Sequence, residues 1–204
     1  MMISLLPKLT FEKFIQTFSN EEGRYEFVDG EVVRILATRQ HDNVADFLSK
    51  VIDREIDRVG LGYRVSGRIS VVTRTDGGVE HSRNPDVSVV TKLVWNSSLL
   101  SYRPLREPLQ VAIEVVSSNW EDDYVDKLAE YLRAGITEYW IVDYLASGSR
   151  SLLGSPKVPT IFVYNLVNKT YTLRKFREDE TIVSPTFPEL RLTLNQVLDA
   201  AYGE

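Results

Sequence analysis

Asn84-Pro85-Asp86-Val87-Ser88-Val89-Val90, followed by Val111-Ala112-Ile113-Glu114-Val115-Val116, is the stretch on which the reading of this chain turns. Each segment is an apolar, β-branched run of strand length that carries one carboxylate. An unpaired carboxylate is expensive inside a sheet, so both acids need a partner. A cation held between Asp86 and Glu114 would serve as one. With side chains alternating, Ala112, Glu114 and Val116 share one face of the second strand and Val111, Ile113 and Val115 the other.

Working outward, Asp123 to Ala134 reads as a helix closed by Gly135. Val125, Leu128, Ala129 and Leu132 form its expected buried stripe, and Asp123, Lys127 and Tyr131 line a neighbouring face at i, i+4, i+8. Glu138 to Val142 is a further apolar strand. Ile161 to Leu166 pairs with Tyr171 to Phe176 across Asn168-Lys169. Thr193 and Gln196 have the capping-box spacing that opens a last helix, Leu194 to Tyr202.

Toward the N-terminus, Phe11, Phe14, Ile15 and Phe18 mark a short amphipathic helix after Thr10. Tyr25 to Val28 and Glu31 to Ile35 flank Asp29-Gly30, the pair that a type I′ hairpin prefers. Asp42 to Val59 has helical spacing and ends at Gly60. Tyr63 to Thr73 reads as one strand, and Asp76-Gly77-Gly78 turns the chain. Thr91 to Pro108 reads as a surface loop bearing Arg103 and Arg106, a candidate lid.

The chain has 204 residues, a net charge of -5 and no cysteine. That length makes one domain of 1–204 with a substantial core. The missing thiols exclude disulfides, thiolate catalysis and cysteine-ligated metals, and a cytoplasmic protein is expected. Apolar runs fall far short of the ~20 residues of a membrane span, and the N-terminus lacks the blocks of a signal peptide. The acidic balance gives no general attraction for nucleic acid, so any such contact needs a local basic patch, for which Arg64, Arg68, Arg74 and Arg83 are candidates. Scattered, solvated charges are an equal reading of those arginines.

Pro85-Asp86, Glu114, Asp126-Lys127-Leu128-Ala129-Glu130-Tyr131, Ala134-Gly135-Ile136 and Glu138-Tyr139-Trp140-Ile141-Val142-Asp143 together resemble the Uma-two family, described as putative restriction-type endonucleases. Tyr25-Glu26, Asp29-Gly30-Glu31 and His41 match its N-terminal pattern, and the resemblance covers most of the chain from about Thr10. It implies the PD-(D/E)XK nuclease superfamily: an α/β (α+β) restriction-endonuclease-like fold, a mixed sheet flanked by helices, and a magnesium-dependent phosphodiesterase site in which manganese can substitute. One departure matters. Two residues after the acid, where the superfamily places its lysine, stands Val116; in the Uma-two pattern the following helix supplies the lysine, here Lys127. Ser117-Ser118-Asn119 also replaces the family's usual Ser-Pro-Ser.

The expected site is therefore Asp86 and Glu114 as metal ligands and Lys127 as the catalytic cation, with Glu31 and His41 as additional candidates. The expected partner is nucleic acid, DNA in the first instance, and cutting both strands of a duplex is simplest for a two-fold homodimer. Two bland alternatives stay open. Glu114 and Lys127 could form a structural ion pair, and the chain could be a catalytically silent nuclease-fold module acting in binding or assembly. His81 is expected in solvent, and Tyr139 and Trp140 in the core or an interface and not as a base-stacking platform.

Overall fold

A computed structural model describes residues 8–18 and 21–203. The absence of a leader, read from the N-terminal block, concerns residues 1–7, which lie outside the described residues.

The fold is mixed α/β, with two sheets flanked by helices. After α1 (Phe11–Phe18), β1 (Tyr25–Val28) and β2 (Glu31–Arg34) form the expected hairpin. Asp29 and Gly30 both take positive φ, 51° and 84°, as a type I′ turn demands. α2 (Arg39–Val59) is capped at its start by the Thr38 hydroxyl and closed by Gly60 at φ 75°.

The strand expected over Tyr63 to Thr73 divides into β3 (Tyr63–Ser66) and β4 (Val71–Arg74), which belong to different sheets. The break falls at Gly67, where a Cβ would lie 2.9 Å from the Asp86 carbonyl oxygen. The chain turns at Gly67 and Arg68, and the close backbone approach favours glycine there. Next come β5 (Glu80–Arg83) and β6 (Val87–Thr91). The predicted 91–108 loop opens with a short helix, α3 (Lys92–Asn96), capped by Thr91. Its apolar residues, Leu93, Val94 and Trp95, are consecutive and make no i, i+3, i+4 stripe, so periodicity did not mark the helix.

β7 (Val111–Val115) is followed by a π-helical turn (Asp122–Asp126) that runs into α4 (Lys127–Ala134). β8 (Glu138–Asp143), α5 (Arg150–Leu153), β9 (Thr160–Val167), β10 (Thr170–Phe176) and α6 (Leu194–Tyr202) complete the chain. The large sheet has the order β10-β9-β8-β7-β6-β3, antiparallel except for the β7–β8 pair; the small sheet has the order β2-β1-β5-β4. α6 carries the expected capping box.

β7 lies in the middle of the large sheet and is buried on both faces. Val111, Ile113 and Val115 join α2 and α6 in one apolar layer, while Ala112 and Val116 join Tyr131, Tyr139 and Phe162 in the other. The alternation read from the sequence holds, and Tyr139 and Trp140 are core residues. No helix among the described residues is long and apolar enough to cross a membrane.

Candidate functional site

The site forms at the end of the large sheet where β7 finishes and β6 begins. The antiparallel register Val87↔Ile113 sets Asp86 beside the Glu114–Val115 peptide, and the Val115 amide donates to Asp86 Oδ2 at 2.8 Å. His41 Nε2 lies 3.1 Å from the same oxygen, and Arg24 Nη1 donates to Oδ1 at 3.0 Å. Arg24 is itself braced by the Asn84 side chain and carbonyl, at 3.0 and 2.8 Å. Burial opposes ionisation of Asp86, but His41 and Arg24 outweigh it and hold the carboxyl down at about 2.

Glu114 behaves differently. Its Oε1 accepts from the Tyr131 hydroxyl at 2.6 Å, and its Oε2 lies 3.1 Å from Lys127 Nζ. Burial pushes its carboxyl well above the usual range; Lys127 pulls it back, while Asp86, Asp123 and Glu26 push it further up. Lys127 stands among four carboxylates: Asp123 at 2.9 Å, Glu114 at 3.1 Å, Glu26 at 3.9 Å and Asp122 at 4.0 Å. Burial disfavours its charge, yet those acids raise its pKa well above the ordinary value, so the ammonium stays charged at neutral pH.

A second ionic centre adjoins the first. Arg83, 2% exposed, forks onto Glu130 with bonds of 2.8 and 2.9 Å and extends its other nitrogen to Asp122 at 3.1 Å and Glu26 at 3.2 Å. Glu130 also receives the Thr73 hydroxyl at 2.6 Å and faces His81 Nδ1 at 2.9 Å. These contacts join β1, β4 and β5 of the small sheet to α4. Burial works against the Glu130 charge, but Arg83 and His81 more than offset it, so its carboxyl falls below the usual range.

Several sequence expectations change here. Val125, expected in the buried stripe, is 60% exposed; Leu128, Ala129 and Leu132 are only half-buried, and the buried side of the helix is Asp123, Tyr124, Lys127, Glu130 and Tyr131. Apolar periodicity assumes an apolar interior, and this helix turns its polar residues inward. The wider π turn presents consecutive acids, Asp122 and Asp123, to the cluster. His81, expected in solvent, is 2% exposed between Glu130 and Asp29. Arg83 belongs to the buried centre and not to a basic surface, while Arg74 pairs with Glu80.

Of the expected site residues, the fold brings together Asp86, Glu114, Lys127 and His41. It does not bring Glu31, which is exposed at the far end of the hairpin; Glu26, one strand earlier, takes that place. Glu26 was legible in the same way as Glu114, as an acid within an apolar strand run. Asp123 had a signal too, its i, i+4 spacing to Lys127. Arg24 and Asn84 gave none, because only the tertiary fold sets them beside Asp86. Val116, just past the end of β7 where the superfamily places its lysine, is fully buried in the core.

Six carboxylates, Glu26, Asp86, Glu114, Asp122, Asp123 and Glu130, thus face three permanent cations, Arg24, Arg83 and Lys127. Among the described residues no three acidic or histidine side chains converge as a preformed metal cage. The donor chemistry nevertheless suits a hard divalent ion, which takes oxygen ligands, keeps several waters and needs only one or two carboxylates from the protein.

Comparison with known proteins gives the context. The family model described as putative restriction endonuclease, Uma2, matches residues 11–195. Among solved structures, a putative nuclease belonging to DUF820 from Anabaena variabilis superposes with a TM-score of 0.70 at 20% identity, over 95% of this chain and 99% of that one. No curated protein matches. The match over nearly the whole described chain places the protein in the Uma2 family.

Proposed function

We propose that the chain is a magnesium-dependent endonuclease that hydrolyses phosphodiester bonds of DNA, with Asp86 and Glu114 as metal ligands and Lys127 as the catalytic cation. The observation that carries this reading is Glu114: a buried carboxylate at the end of the central strand, pushed up in pKa, in a cluster with more acid than permanent cation. Manganese suits the same oxygens.

The protein's own groups divide the work. His41, Arg24 and the Val115 amide fix both oxygens of Asp86, and the Tyr131 hydroxyl fixes one oxygen of Glu114. Lys127 keeps its proton, so it serves as an electrostatic group toward a phosphate oxygen or the attacking water and not as a general base. Asp123 holds the ammonium at 2.9 Å and sets where that charge sits. A bound divalent ion supplies Lewis acidity toward the phosphate and a more acidic water.

The test is nicking of supercoiled plasmid by purified protein with magnesium, with manganese and with chelator, beside Asp86→Asn. Metal-dependent nicking by the wild type, lost in a folded Asp86→Asn variant, is the expected result. Nicking that persists in the chelator or in the variant would overturn the assignment. The silent-module reading is kept only by the ion pairs already present at Lys127, and it predicts no nicking by any form.

A further inference from the structure

A nuclease must hold phosphates on either side of the bond it cuts, and the overall charge of -5 opposes that. Four of the exposed arginines are already neutralised: Arg58 by Glu55 and Glu189, Arg74 and Arg106 by Glu80, Arg133 by Asp76. One group of cations is bound differently. Lys157 donates to the carbonyls of Ser147 and Gly148, at 3.2 and 3.0 Å, and Lys175 to the carbonyl of Leu152 at 2.8 Å. Arg177 donates to the carbonyl of Leu153 at 3.0 Å and the Thr160 hydroxyl at 3.1 Å. Their partners are neutral, so their charge is not cancelled. The acids that follow keep their own charge but form no ion pair with these three cations: Asp179 accepts from Asn195, and Glu180 from the Arg177 amide.

Strand registers fix where these cations lie. Val115 pairs with Val142, Asp143 with Thr160, and Ile161 with Phe176, so the ends of β7, β8 and β10 and the start of β9 share one end of the large sheet. Asp86 and Glu114 are at that end. Lys175 also lies over the Phe162 ring, at 5.1 Å, in the apolar layer that Ala112, Val116 and Tyr131 share. The cations and Glu114 are therefore on one face as well as one end. β10 is three strands from β7, roughly 14 Å at the usual strand spacing, or about four base pairs of duplex rise. Past β7 the chain runs through the neutral Ser117-Ser118-Asn119 segment to Trp120, which packs on Tyr124; Tyr124 packs edge-on against Phe162, the ring under Lys175.

We propose that Lys157, Lys175 and Arg177 form a backbone track that binds the phosphodiesters of a nucleic acid duplex whose scissile phosphate lies at Glu114 and Lys127. The track rests on the nuclease reading above for the identity of its anion. Its contacts are to phosphate, so it contributes affinity and register but no sequence preference.

The test is fluorescence anisotropy of a labelled DNA duplex two helical turns long, in chelator, over a series of salt concentrations. It compares wild type with Lys157→Gln/Lys175→Gln and with Lys50→Gln/Arg54→Gln, which removes the same two charges from exposed positions of α2 on the opposite side of the sheet. The track pair should make the slope of log affinity against log salt shallower by about 1.8, from about 0.9 for each lost phosphate contact. The α2 pair should leave the slope unchanged. Equal effects of the two pairs, an unchanged slope in the track pair, or no duplex binding by the wild type would each overturn the track. Because binding is read without cleavage, a slope change in a protein that never nicks plasmid sinks the nuclease reading alone, whereas nicking with an unchanged slope sinks the track alone.

Discussion

Glu130 and Glu114 are equally buried, each 3% exposed, yet their carboxyls shift in opposite directions. Glu130 has an arginine fork, a histidine and a threonine hydroxyl, enough donors to satisfy a buried charge. Glu114 has a tyrosine hydroxyl and a share of one lysine, which it divides with Asp123, Glu26 and Asp122. The first centre is complete and braces the small sheet against α4. The second is short of positive charge, and that deficit is what the proposed binding of a divalent cation rests on.

The largest expected effect is on the complete centre. Glu130→Gln leaves the buried Arg83 without its fork partner and should cost about 3–5 kcal/mol, lowering the midpoint of thermal unfolding by about 10 °C for a chain of this length. Magnesium should not restore it. A midpoint within a degree or two of wild type would show that Glu130 is not a brace.

Lys127→Ala tests the incomplete centre from its cation. Plasmid nicking should fall by about 10²–10³, the usual cost of removing one group that stabilises developing charge, while circular dichroism shows a folded protein. Full activity in that variant would remove Lys127 from the mechanism.

Glu114→Gln should do the reverse of Glu130→Gln. It relieves repulsion from Asp86, Asp123 and Glu26, and Lys127 keeps three other carboxylates, so the metal-free protein should gain about 1 kcal/mol and melt about 2–4 °C higher. The pH dependence gives the sign independently. A carboxyl raised in the folded state contributes stability that is full below its unfolded pKa and is lost as pH rises through the folded value. His41 and His81 are raised and slope the same way, so the wild-type curve alone does not isolate Glu114. The difference between wild-type and Glu114→Gln melting curves should widen with rising pH, whereas Glu130, depressed in the fold, contributes stability that is lost as pH falls.

These two centres also show what could be read from the sequence. The strands carrying Asp86 and Glu114, the hairpin at Asp29-Gly30 and the caps at Gly60 and Thr193 were legible because each follows from local backbone or periodic rules. Asp86 and Glu114 stood out as charges in apolar runs, and Lys127 through the resemblance to the Uma-two pattern. The Arg83–Glu130 brace did not, because both residues look like ordinary surface charges until the small sheet folds over α4. The same logic misplaced Val125, and it sent His81 to solvent. At Gly67 the chain turns close against the backbone of Asp86, a residue distant in sequence.

Magnesium titration followed by thermal unfolding, wild type beside Glu114→Gln, tests the charge deficit at Glu114 most directly. An ion that binds only the folded state raises the midpoint with concentration. The wild type should climb through millimolar magnesium and Glu114→Gln should stay flat at its higher starting value. A wild-type midpoint indifferent to magnesium, with Glu114→Gln melting lower, would contradict the account and leave Glu114 and Lys127 as a structural pair.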